Sequence, residues 1–271
     1  EAAVHEKKGP FTPPEFGPAG AITHGGPIDL RLFLSPWRHA FAQREPGGRR
    51  SLQIFDRQGV AILKIFLDAD AHDRHRAFDA FVERFADRGD APLTIEPPQQ
   101  KPTSGQPIDA DRLRARWAAL KDTHEFFPML RELGIERTAA LESVGEAFSR
   151  EIRTEVVEEL LRTAADRALP IMVFVGNRGA IQIHTGPVRR IVRTDGWLNV
   201  LDPDFNLHLD TRLVRRAFRV RKPTADGVVT SIELFDDAGE AIALFFGARK
   251  PGIRELEAWR ELVADLEVDH A

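Results

Sequence analysis

The chain has no cysteine and no tyrosine among its 271 residues. Without cysteine there are no disulfides, no thiolate metal sites, no iron–sulfur clusters and no covalent attachment of c-type haem. That absence also fits a cytoplasmic location. Without tyrosine no phenol hydroxyl is available, and aromatic surface comes from 18 phenylalanines and 4 tryptophans. No apolar run approaches the roughly 20 residues that cross a bilayer. The opening residues, EAAVHEKKG, lack the apolar centre of a secretory signal. The net charge is only −4, which gives no reason to expect nucleic acid or membrane insertion. Neither of the two methionines is residue 1, so the translated chain is expected to be longer.

What is present is an ordinary globular composition, 42% hydrophobic and 30% charged. It is long enough for one large or two modest domains. Two segments match without gaps: SLQIFDRQGVAILKIF (51–66) and SIELFDDAGEAIALFF (231–246) are identical at 7 of 16 positions. Each alternates as two strands joined by a tight turn, at Gly59 and at Gly239. Upstream, DLRLFLSPWRHAFAQRE (29–45) parallels NLHLDTRLVRRAFRVRK (206–222) at a slightly different offset. An amphipathic helix is expected after each block, at 73–88 and at 253–267. The chain therefore reads as a tandem duplication: a first repeat over 1–88, a linker over 89–108 rich in Pro and Gln, and a second repeat over 109–271. The second repeat opens with helical patterns, first at DRLRARWAALKD behind a cap at Asp109 or Asp111, then at 125–134, 137–149 and 155–168. Strands follow at IMVFV and AIQIH. The first strand block has no such preamble, so the duplication predicts a further helical segment ahead of it.

One histidine stands out, in KDTHEFF (121–127). Trp117, Leu120, His124, Phe127 and Leu130 would form one stripe on a continuous helix, making His124 a hydrogen-bonded core residue, the commoner fate of such a histidine. Alternatively, Asp122 and Glu125 form a capping box and a new helix starts there. Pro128 cannot donate to the carbonyl of residue 124, which loosens the backbone beside the histidine in either case. An imidazole at such a break suits a flat apolar ligand carrying an accessible metal. It suits bare zinc poorly, because no second ligand lies at helical spacing.

Longer motifs add a resemblance. MVFVGNRGAIQIHTGPV (172–188), WLNVLDPDFNLHL (197–209), RKPTADGVVTSIELFD (221–236) and FFGARKPG (245–252) resemble the second repeat of the bacterial haemin-degrading and haem-transport proteins, the HemS-like family. DLRLFLSPWRHAFA and SLQIFDRQGVAILKIFL resemble its first repeat. The resemblance implies an α+β fold of two tandem repeats, each a large antiparallel sheet with flanking helices, and a haem (iron protoporphyrin IX) cleft between them. It implies His124 as the iron's axial ligand, Arg31 as a distal and potentially catalytic residue, and Phe33, Phe174 and Phe246 as walls. Lys222 and Arg249 become propionate anchors. Phe246 stands where relatives carry tyrosine, and Leu244 replaces a polar residue of some of them.

The residues agree with that implication, since haem needs an apolar slot, cationic anchors and an axial donor. Without the resemblance each has a plainer reading: a strand phenylalanine is usually core, and Lys222 and Arg249 would be solvated charges. His39, His184 and His208 sit in strand patterns and are read as facing solvent or a hydrogen-bond partner. VGNRG joins two strands rather than a strand and a helix, so Arg178 belongs to a hairpin turn and not to a phosphate loop. Three functions follow as expectations. The first is a cytoplasmic haem carrier for iron acquisition, with a haem oxygenase or the inner-membrane haem importer as partner. The second is an enzyme that opens the porphyrin with oxygen and a reductant. The third is a duplicated interaction module without haem.

Overall fold

The computed structural model describes residues 2–18, 20–67, 72–86, 93–98, 107–250 and 252–268. Most of the expected linker, 89–92 and 99–106, lies outside the described residues.

The first repeat runs β1 (Ala3–Lys7), β2 (Glu15–Gly17), β3 (Gly20–Thr23), β4 (Asp29–Leu32), β5 (His39–Arg44), β6 (Arg50–Phe55), β7 (Ala61–Leu67) and α1 (His72–Phe85). Next come α2 (Ala110–Ala118), a 3-10 turn (Thr123–Glu125), α3 (Phe126–Leu133), α4 (Arg137–Ser143), β8 (Ser149–Ile152), α5 (Val156–Asp166) and β9 (Ile171–Gly176). The chain closes with β10 (Ala180–Gly186), β11 (Ile191–Thr194), β12 (Trp197–Leu201), β13 (Phe205–Asp210), β14 (Arg216–Thr224), β15 (Gly227–Phe235), β16 (Ala241–Gly247) and α6 (Glu257–Val268). The fold is α+β with antiparallel pairing in every sheet, as expected. The pattern at 137–149 holds as helix only to Ser143, and Ser149 already belongs to β8.

The matched segments superimpose element on element, β4–β7 on β13–β16. Both hairpins turn on the same chemistry. Asp56 Oδ1 accepts from the backbone N–H groups of Gln58 and Val60, both at 2.9 Å, and Asp236 Oδ1 accepts from those of Ala238 (2.9 Å) and Glu240 (2.8 Å). Gly59 and Gly239 close the turns at φ 75° and 74°, a region that a β-carbon disfavours. A bulge falls at the same place in each, between Ile54 and Phe55 and between Leu234 and Phe235.

The repeats nevertheless exchange strands. β10 of the second repeat pairs with β4 of the first, and β1 of the first pairs with β13 of the second. A nine-stranded sheet results, in the order β2-β3-β4-β10-β9-β16-β15-β14-β8. The four-stranded sheet β1-β13-β12-β11 and the three-stranded sheet β5-β6-β7 repeat that order in equivalents. Among the described residues nothing stands in the places of β9 and β8. The turn between β9 and β10 docks on the first repeat: Asn177 Nδ2 donates to the Ile62 carbonyl (2.9 Å), and Trp37 Nε1 donates to that of Gly179 (3.0 Å). Arg178 is thus a turn residue, held by Gln58 at 2.8 Å and Asp56 at 3.3 Å.

One face of the nine-stranded sheet, carrying Ile171, Val173, Ile232, Leu234 and Phe245, packs with α5, α6 and the four-stranded sheet into the main core. On the opposite face α2, α3 and α4 cover only the end formed by β14 and β15, where Leu113, Trp117, Phe126 and Leu130 bury Phe218, Val220 and Phe235. Each such fully buried side chain contributes roughly 1.5–3 kcal/mol. Farther along that face Met172, Phe174, Leu244 and Phe246 are half-buried.

Candidate functional site

Residues directly opposite one another in a sheet share a face. The register therefore places Asp29, Ile183, Phe174, Leu244, Glu233 and Phe218 in one row across β4, β10, β9, β16, β15 and β14. Arg31 lies two residues from this row toward one end of the strands; Met172 and Phe246 lie two residues toward the other. Phe174, Leu244, Met172 and Phe246 are all half-buried on the part the helices leave uncovered. The rings of Phe174 and Phe246 meet edge-on, centroids 5.1 Å apart at 64°.

His124 stands where the helical layer ends. α2 starts at Asp109, whose side chain accepts from the Arg112 N–H (2.9 Å), and stops at Ala119. Asp122 then opens a new turn with the full capping box: its Oδ1 accepts from the His124 N–H (2.7 Å), and Glu125 Oε2 accepts from the N–H groups of Asp122 (3.3 Å) and Lys121 (2.8 Å). The continuous stripe does not form. Leu113, Trp117, Leu120, Phe126, Met129 and Leu130 are buried, while Phe127 is exposed and the His124 side chain is 86% exposed, so His124 is no core residue. Pro128 sits in the first turn of α3, where its missing N–H costs little.

The ring of His124 is held on one side. Its Nδ1 lies 2.6 Å from Asp122 Oδ1. The His124 backbone N–H is the leading cause that keeps Asp122 below the usual carboxylate range, where it is ionised and only accepts. An accepting oxygen calls for a proton on Nδ1, so in the neutral ring Nε2 is the nitrogen left with a lone pair. Arg249 also bears on Asp122 electrostatically. Its guanidinium donates to Asp226 Oδ2 (3.0 Å) and to the Ile253 carbonyl (3.3 Å), and the Lys121 carbonyl accepts from the Ala225 N–H (2.9 Å). His124, Asp122 and Arg249 thus form one neighbourhood at the end of β14.

Lys222 requires a correction. It is neither a solvated charge nor an open anchor: the residue is 4% exposed, and its ammonium donates to Glu233 Oε1 (2.9 Å) while lying 4.4 Å from the Phe126 ring centroid. The register across β14 and β15 turns it beneath α3, where an unpaired charge would be costly, and Glu233 supplies the counter-charge. Glu233 also accepts two bonds from Arg137 (2.6 and 2.9 Å) and one from Ser231 (2.9 Å). Burial alone would raise the Glu233 carboxyl, but Arg137 and Lys222 overcome it and hold it at about 2. Burial, with Arg137 adding to it, pushes the Lys222 ammonium down. Arg137 and Lys222 thus bear on one carboxylate, and the exposed Phe127 ring lies 4.9 Å from the Arg137 guanidinium. Sequence reasoning missed Arg137 and Glu233, because their pairing links residues 96 positions apart.

Arg31 and Phe33 occupy the far end of the same sheet. Arg31 pairs with Asp29 and donates to the Leu30 carbonyl (3.3 Å); the Phe33 N–H bonds the Gly179 carbonyl (2.9 Å). β4 and β16 are three strands apart, roughly 14 Å at normal strand spacing. His184 meets a hydrogen-bond partner and not solvent: it is buried, Lys7 Nζ lies 3.4 Å from its Nδ1, its ring stacks on Phe205 with centroids 3.8 Å apart, and burial lowers it to about 4. His208 finds its partner in Asn199 (2.7 Å). His39 lines a separate concavity of about 610 Å³ with Phe41, Gln53, Phe55, Leu93 and Ile95, which holds none of the expected site residues.

Among the described residues no three His, Cys, Asp or Glu side chains converge as a cage for a bare metal ion. A lone imidazole serves a metal that brings its other donors with it, as in a macrocycle, and a phenylalanine face near cationic side chains suits such a disc with anionic substituents. No described helix is long and apolar enough to cross a membrane.

Comparison with known proteins bears on the same point. The haemin-degrading HemS.ChuX domain matches residues 1–85 and 134–266. The hemin transport protein HemS of Yersinia enterocolitica is 35% identical, over 97% of this chain and 77% of its own. The structure of haem-bound PhuS, a haem-binding protein of Pseudomonas aeruginosa, is 46% identical at a TM-score of 0.91 over 97% of this chain and 78% of that one. ChuS, an E. coli haem oxygenase, is 35% identical at 0.88, over 98% and 80%.

Proposed function

Because this chain belongs to the haemin-degrading HemS family, we propose that it binds one haem on this sheet face through His124 and carries it within the cytoplasm for iron acquisition. The observation that supports this reading is the exposed imidazole of His124, with its Nδ1 on Asp122, at the β14 end of a sheet that also carries the half-buried Phe174–Phe246 pair. In this reading His124 supplies the axial nitrogen and the two phenylalanines form a wall. Arg249 exchanges Asp226 for a haem carboxylate, a charge-assisted bond of similar strength. Lys222 acts from below, beside Arg137 on the carboxylate they share. Arg31 and Phe33 close the far rim.

A second reading, favoured by the likeness to the haem oxygenase ChuS, is that the protein also degrades haem. Phe246 speaks for carriage, since its ring leaves that wall without a hydroxyl to orient water.

Replacing His124 with alanine tests the site. A ligand set's outer partners are worth about 10–100-fold in affinity, so loss of the ligand itself should cost at least about 100-fold and remove the histidine signature from the haem spectrum. An unchanged spectrum sinks the assignment. Incubating the haem complex with reductant and oxygen, catalase present, separates the two readings: a persistent Soret band supports carriage, and decay to a defined tetrapyrrole supports degradation.

A further inference from the structure

We propose that Asp122 is a positioning residue that decides which nitrogen of His124 is offered and how strongly it donates; this rests on the haem reading above. A single oxygen, Asp122 Oδ1, lies 2.7 Å from the backbone nitrogen of His124 and 2.6 Å from its Nδ1. It therefore ties the ring of this residue to its own main chain. The carboxylate is braced in turn, because Asp122 and Glu125 complete the capping box. The imidazole otherwise stands 86% exposed.

An exposed imidazole without such an anchor would sample several rotamers and carry its proton on either nitrogen. A carboxylate on Nδ1 removes both freedoms. It favours the Nδ1–H tautomer, aims the Nε2 lone pair outward and makes that nitrogen a stronger donor to a metal. A stronger donor would favour ferric over ferrous iron, because the higher charge gains more from it. The sequence thus uses one aspartate for two tasks, starting a turn and tuning a ligand.

Asp122→Asn is the deciding variant, since asparagine caps about as well as aspartate but offers the ring only a neutral amide oxygen. In the haem-free protein, ¹⁵N NMR should show His124 mainly as the Nδ1–H tautomer, and the variant should lose that preference. Ferric haem affinity should fall roughly tenfold with ferrous affinity less affected, and each tenfold fall in their ratio raises the potential by about 59 mV. Glu125→Gln perturbs the same box without touching the ring, and should leave tautomer and potential unchanged. The proposal is overturned by an Nε2–H tautomer in the unaltered protein, by an unchanged potential in Asp122→Asn, or by an equal shift in Glu125→Gln. If His124→Ala keeps the histidine signature, the haem reading fails instead, and the tautomer alone then decides whether Asp122 positions the ring.

Discussion

The strands β5–β7 and β14–β16 are two copies of one design with different fates. Both carry the same turn aspartate, the same glycine and the same bulge, and both hold an edge-on phenylalanine pair with centroids 5.7 Å apart: Phe41–Phe55 in the first, Phe218–Phe235 in the second. Yet Phe41 is 45% exposed and Phe218 only 1%. The difference is what lies on top. Helices α2–α4 cover the second copy, whereas Phe41 and Phe55 line an open concavity with Leu93 and Ile95. Covering changed the chemistry beneath. Where Glu233 sits buried between Lys222 and Arg137, the first copy has Gln53, bonded to the exposed Gln43. The proposed site adjoins the copy whose helices bury charge and end at His124.

The largest expected contrast is in stability. Glu233→Ala leaves two cations buried without a partner and should cost about 3–5 kcal/mol, whereas Gln53→Ala should stay within about 0.5 kcal/mol. Denaturant unfolding of the two variants measures both. Equal losses would mean that the ionic cluster is not what separates the copies.

The next contrast concerns the acids of the second copy. Glu233 is held at about 2 against 4.5 when unfolded, so its contribution is complete above about pH 4.5 and is lost as pH falls toward 2. Glu255 is the reverse. It accepts the Thr230 N–H at 2.6 Å, has its other oxygen buried without a partner among the described residues, and is pushed up to about 7 by burial. The folded state keeps a proton that the unfolded state has released, so this group lowers stability as pH rises from about 4.5 to 7. Glu255→Gln should therefore be neutral at pH 4 and stabilise by on the order of 1–2 kcal/mol at pH 8, read from melts at both values.

The smallest contrast concerns equivalent aromatics. Phe246→Ala opens the cleft wall and should weaken haem binding roughly tenfold, about 1.4 kcal/mol. Phe66, its first-copy counterpart, only stacks under Arg49 at 4.0 Å; Phe66→Ala should leave haem titrations unchanged and cost at most about 1 kcal/mol. A matching loss of affinity would place haem on the first copy as well.

Much of this was legible in local patterns. The hairpins follow from alternation and an Asp-plus-Gly turn, and the break at His124 follows from Asp122 and Glu125 at capping-box spacing. The resemblance pointed to His124 and to Phe174 and Phe246, and the last two rings lie 5.1 Å apart. Lys222 could not be placed, because its burial depends on a helix packed over it and on a carboxylate from the next strand. Which of its two readings His184 takes was out of reach for a similar reason: the Phe205 ring that covers it belongs to another sheet.

By itself the sequence determined the duplicated strands, their turns, and a histidine at a capped break, since each is set by residues within a few positions of one another. Only the tertiary structure decided that the repeats trade β1 and β10, that Lys222 and Arg137 share Glu233, and that helices bury the β14–β15 end of the sheet while Phe174 and Phe246 stay half-buried. Strand pairing and charge burial are contacts between distant residues, and a strand's alternation says which face is apolar without saying what will cover it.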